Sequence, residues 1–238
     1  MKVSTELIAL LVILVFAALL LLAIRTSRNS REQKTAQASA LGFEALSEVP
    51  DELMSRVNNL FRNQQTQGLS ITESYHQHDF ERNLYIFDVD NTNHQDSEMG
   101  SEIFGVISRQ LTLPHFSLTS LPPFNTDNML GNLMEMVLDK VLDVAEKYQG
   151  LKRIELPDLS RVDNQLVVFG QDEFAVLNML DRVNLSALSR SKNYLHLAGS
   201  GDFLTVDFSI PSTPQDPNRD FQAQYQEFLS LVRMFEEG

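Results

Sequence analysis

The sequence predicts an α+β fold with a mainly antiparallel sheet, standing behind a single N-terminal transmembrane helix. Three observations predict it. Residues Leu7 to Ile24 form an unbroken apolar run. Beyond it, strand-like and helix-like segments come in blocks rather than in strict alternation, the arrangement of α+β chains. Hairpin signals join several of the strand-like segments, at Asp90 to Ser101 and at Gly199-Ser-Gly-Asp202. The expected order is a short N-terminal segment (1–6), the transmembrane helix (7–24), a basic and polar juxtamembrane helix (25–40) and two α+β blocks (41–121 and 122–238). The two blocks read either as one domain or as two subdomains sharing one core.

The anchor is argued from length and flanks. Eighteen residues at about 1.5 Å rise make a helix of roughly 27 Å, close to the hydrocarbon thickness of a bilayer. A cleaved signal peptide has a shorter apolar core followed closely by small residues. Here Arg25-Thr-Ser-Arg28 follows, and Ala38-Ser-Ala40 lies too far downstream. A core helix of a soluble domain is rarely apolar all round. Arg25, Arg28, Arg31 and Lys34 follow the run, against Lys2 before it. Basic residues near a helix end mark the cytoplasmic side. The long C-terminal part is therefore expected in the cytoplasm, and the four basic residues are expected to flank the membrane as a stop-transfer cluster.

Charge bounds the partners. Residues 1–34 hold five of the 19 Lys and Arg and two of the 32 Asp and Glu, so residues 35–238 carry a net charge of −16. Such a domain is repelled by phosphate backbones, which argues against nucleic-acid binding. Acidity of this kind is ordinarily a solvated surface. Cysteine is absent, which excludes disulfides, thiol catalysis, iron–sulfur clusters and Cys-ligated zinc.

The elements follow in order. Ala-containing polar sequence continues the anchor helix to a C-cap at Gly42. Ser47 to Asn63 reads as a helix that starts at Pro50-Asp51, with Leu53, Val57, Leu60 and Phe61 as its apolar stripe. Leu69 to Tyr75 alternates as a strand, and Asn83 to Val89 is a second strand. Glu102 to Leu113 is the third, ending at Pro114, with Phe116-Ser-Leu118 as an extension. Residues 127–148 show an amphipathic helix. Strands are expected at Lys152–Leu156 and Gln165–Phe169. Asp172 caps a helix through Leu180, and a short helix covers Leu185–Arg190. Asn193–Ala198 and Phe203–Phe208 form a hairpin. The last helix, Arg219 to Glu236, buries Phe221, Tyr225, Phe228, Leu229, Val232 and Phe235.

Few residues invite chemistry. His76 and His78 share a strand face at i and i+2, and with Asp79 they could ligate a metal. Solvated loop histidines explain the same pattern, as does the polar segment around them, which includes His94. Asp88-Val-Asp90 supplies oxygens of a Ca²⁺ loop but lacks its glycine and its bidentate glutamate. A phosphoryl-transfer aspartate pair needs a parallel sheet and a following helix, which this segment lacks. Ser200 lies between two glycines, yet a nucleophile elbow needs a strand-to-helix turn. Asn184-Leu-Ser186 matches a glycosylation acceptor, irrelevant to a cytoplasmic domain. Met129, Met134 and Met136 on the amphipathic helix read as core packing, or as an adaptable partner surface.

Several segments together resemble a family of uncharacterised bacterial single-pass membrane proteins with one N-terminal helix and a soluble α+β domain. They are Ala40-Leu-Gly-Phe43, Leu84-Tyr-Ile-Phe-Asp88, Leu111-Thr-Leu-Pro-His-Phe-Ser-Leu118, Leu166-Val-Val-Phe-Gly-Gln-Asp-Glu173, Gly199 to Leu204 and the aromatic C-terminal helix. The chain departs from that family in its long 127–148 helix. The resemblance implies the layout and carries over no catalytic residue and no cofactor.

The expected function is a membrane-anchored, non-catalytic protein-interaction or scaffolding domain with a protein partner. A metal-assisted enzyme using His76, His78 and nearby carboxylates is the alternative, as is a small-molecule sensor.

Overall fold

The computed structural model describes residues 31–61, 69–91, 102–121, 150–156, 165–183, 185–188, 194–208 and 220–237. The chain divides into two compact units between Phe43 and Glu44.

In the first unit, residues 31–40 form helix α1, within the expected juxtamembrane helix. It closes at Gly42, whose φ is 88°. The Phe43 N–H donates to the Ala38 carbonyl (3.0 Å) and the Gly42 N–H to the Ser39 carbonyl (3.0 Å). That pair of bonds is a Schellman cap, which needs the left-handed backbone that glycine adopts without strain. The apolar run 7–24, Arg25 and Arg28 lie outside the described residues. Among the described residues no helix is long and apolar enough to cross a membrane.

Among the described residues the second unit is built on one nine-stranded antiparallel sheet. Its strands are β1 (Glu44–Ala45), β2 (Leu69–Asp79), β3 (Arg82–Asn91), β4 (Ile103–Ser108), β5 (Leu113–Leu121), β6 (Lys152–Ile154), β7 (Gln165–Gly170), β8 (Leu195–Gly201) and β9 (Phe203–Asp207). Their spatial order is β1-β2-β3-β4-β9-β8-β5-β7-β6. The α+β class with an antiparallel sheet is therefore correct. Strands of both sequence blocks interleave: the β8–β9 hairpin stands between β4 and β5.

Helices cover both faces. On one, α2 (Asp51–Phe61) sets Leu53, Val57, Leu60 and Phe61 against Tyr85, Phe87, Ile103, Ile107, Ala198 and Phe203. On the other, α5 (Phe221–Glu237) packs its rings on Phe104. Phe104 is fully buried, with the Phe221 and Phe228 ring centroids each 5.4 Å away. This two-sided cover explains why all six residues of β4 are buried and why its sequence reads as an apolar run rather than as an alternation. Helix α3 (Glu173–Arg182) starts at Asp172, whose side chain accepts from the Ala175 N–H, as expected of the cap. It is followed by the short α4 (Leu185–Leu188).

Four expectations need correction. The stretch Glu102–Leu113 is not one strand. It stops at Ser108, where the Leu111 N–H donates to the Ser108 carbonyl (3.2 Å) and the Gln110 N–H to the Ser108 hydroxyl (3.3 Å). Strand β5 then runs through Pro114, because the ladder shifts register between Leu113 and Phe116. A proline fits there, since no ladder N–H is demanded of it. Strand β2 does not end at Tyr75 but runs on to Asp79 and carries both histidines. On α5 the buried residue is Leu231, with Leu229 half-buried. The two-residue strand β1 was not anticipated. It pairs Glu44 with His76 and Ala45 with Tyr75. The predicted helix 127–148, with its methionines, and most of the loop Asp90–Ser101 lie outside the described residues.

Candidate interaction site at the β2–β3 hairpin

Strands β2 and β3 are paired from Leu69↔Asn91 to Asp79↔Arg82. That register leaves Phe80 and Glu81 as a two-residue turn. Phe80 has φ 49° and is 93% exposed. The β8–β9 turn is built alike, with Gly201 first at φ 62° and Asp202 second. Such turns prefer glycine at the first central position, because a side chain there clashes with the backbone. Phe80 therefore holds a strained backbone without burying its ring, so it costs the fold stability rather than adding to it.

The hairpin carrying Phe80 is firmly held. Arg82, the first residue after the turn, lies 2.6 Å from the Glu236 carboxylate near the end of α5. That side chain is 2% exposed, and its other oxygen accepts from the Ser108 hydroxyl at 2.7 Å. The Tyr225 hydroxyl of α5 donates to the Gln77 side-chain oxygen of β2 at 2.8 Å. Beside the tip, the Gln110 amide donates to Glu81 at 3.4 Å. Two points on one helix thus brace the strand pair below its exposed aromatic.

The metal candidates lie on the same hairpin. His76 and His78 sit on one face of β2 and meet at Asn83. The distances to its side-chain oxygen are 3.2 Å from His76 Nε2 and 3.1 Å from His78 Nδ1. An amide oxygen accepts, so each ring turns an N–H toward it. The His76 ring also lies against Tyr85, with centroids 4.9 Å apart. Asp79 belongs to the opposite face by strand alternation, 4.0 Å from Arg82. Among the described residues no group of three or more His, Asp or Glu is placed to hold a metal ion. Asp88 accepts from the Glu102 N–H at 2.5 Å, which ties β3 to the start of β4. Asp90 is exposed at the far end of β3. Ser200 sits in the β8–β9 hairpin, as its flanking glycines indicated. His94 and Asn184 lie outside the described residues. Of the four basic residues that follow the apolar run, Arg31 and Lys34 are described: Arg31 is exposed and Lys34 is buried.

Sequence reasoning missed a polar row inside the sheet. His115, Ser117 and Thr119 alternate along β5, which reads as a solvent-facing pattern, yet Ser117 and Thr119 are fully buried. The Thr119 hydroxyl is 2.9 Å from His196 Nδ1 of β8, and His115 Nε2 is 3.2 Å from the Leu60 carbonyl. Burial pushes the His196 imidazole down to about 4 and that of His115 below its ordinary value, against the hydrogen bond to Leu60. Burial also raises the Tyr194 phenol. A hydroxyl beside a histidine resembles a nucleophile with its base. A base that protonates only near 4 has little driving force to take a proton at neutral pH. The pair is better understood as core polarity satisfied by a hydrogen bond.

A second anchor point joins the neighbouring turn to α2. Arg56 grips Asp202 through two bonds of 2.6 and 2.7 Å. The hydrogen bond to Asp202 holds the guanidinium above its usual value, and that to Arg56 holds the carboxyl below its own. Comparison of the chain with family models, with curated proteins and with solved structures found no match.

Proposed function

We propose that this chain is a membrane-tethered, non-catalytic protein-interaction module whose contact element is the β2–β3 hairpin. The observation that carries the proposal is Phe80, a 93% exposed aromatic at φ 49° on a braced hairpin. Large aromatics on rigid supports are the usual anchors of protein interfaces, because little conformational freedom is lost when they dock. A residue that strains the fold while its ring stays exposed is accounted for by a contact outside the fold.

The tether is the apolar run Leu7–Ile24, and the following Arg25, Arg28, Arg31 and Lys34 support an orientation with the domain in the cytoplasm. The net charge of −16 on residues 35–238 keeps that domain off anionic headgroups and open to a protein partner. Mild detergent extraction followed by crosslinking tests the function. A discrete adduct that weakens in Phe80→Ser supports it, whereas an isolated monomer under all crosslinking conditions refutes it. A cytoplasm-only reporter fused after Gly238 should be active; activity of a periplasmic reporter there overturns the orientation.

A further inference from the structure

We draw no further inference here: the strongest candidate, the polar side-chain cluster of Ser117 and Thr119 on β5 with His196 on β8, carries nothing, because Ser117 and Thr119 are fully buried, which leaves a ligand no access to their hydroxyls, and the Thr119–His196 hydrogen bond is the core polarity already described.

Discussion

Replacing Phe80 with glycine should make the protein more stable. The substitution removes a benzyl group from a backbone at φ 49° and from a side chain left almost wholly in water. A left-handed backbone costs an L-residue about 1–2 kcal/mol. Glycine adopts it freely but loses roughly 0.5–1 kcal/mol more backbone entropy on folding. The exposed ring buries too little surface for its removal to matter. The balance is a gain of about 0.5–1 kcal/mol, or roughly 1–4 °C in Tm for a chain of this size. Circular dichroism of the full chain in mild detergent, followed in urea and on heating, reads this directly. Phe80→Ala keeps the Cβ and should stay within about 0.5 kcal/mol of wild type. A glycine variant less stable than wild type by more than about 0.5 kcal/mol would refute the reasoning, because the ring would then be supporting the fold.

Three other outcomes are expected. Arg82→Met strands the Glu236 carboxylate, 2% exposed, and should cost about 3 kcal/mol in urea unfolding. Adding Glu236→Gln should recover more than half of that loss, and an additive double-mutant cycle would show the pair to be uncoupled. The second outcome concerns His196, whose folded value of about 4 lies below the ordinary 6.5. Its unfolded form binds a proton first, so stability is full above 6.5 and falls as pH drops toward 4, by about 3 kcal/mol in all. His196→Gln should flatten that part of the pH–stability curve, and an unchanged slope argues against a neutral buried imidazole. Third, Gly199→Ala would place a Cβ 2.7 Å from the Phe116 ring and 2.8 Å from Leu113. It should cost about 1–3 kcal/mol, read as a lower urea midpoint at constant slope; wild-type stability there would mean that Phe116 yields without strain.

Much of the secondary structure was legible because single helix faces and caps are local. The stripe on α2, the Asp172 cap and the Gly201 turn each follow from a few neighbouring residues. The order of the strands was not legible. Which strand lies beside β4 is decided by Phe104↔Val206 and its neighbours, residues far apart in sequence. The buried row His115, Ser117, Thr119 was missed for the same reason: alternation marks a face, but only the fold determines that helices and neighbouring strands close that face off. Of the candidate site, His76 and His78 share a strand face as their spacing implied, whereas Asp79 lies on the other face beside Arg82. The significance of Phe80 between them and Arg82 was hidden, because an exposed phenylalanine and its φ leave no pattern in composition or period.

The placement of the β8–β9 hairpin between β4 and β5 has a consequence for synthesis. The linker 109–112 passes the end of the β8–β9 hairpin, crossing three strand spacings, roughly 14 Å. During translation, β4 and β5 emerge first, each with an apolar edge that waits for a partner. At about 5–20 residues per second, that wait lasts on the order of 5–20 s. The nascent chain is therefore two half-sheets until its final fifth arrives, and chaperone cover is most needed over that interval. A transcript cut short before Asp207 would yield not a smaller domain but a split one, with two sticky edges facing each other across an empty slot.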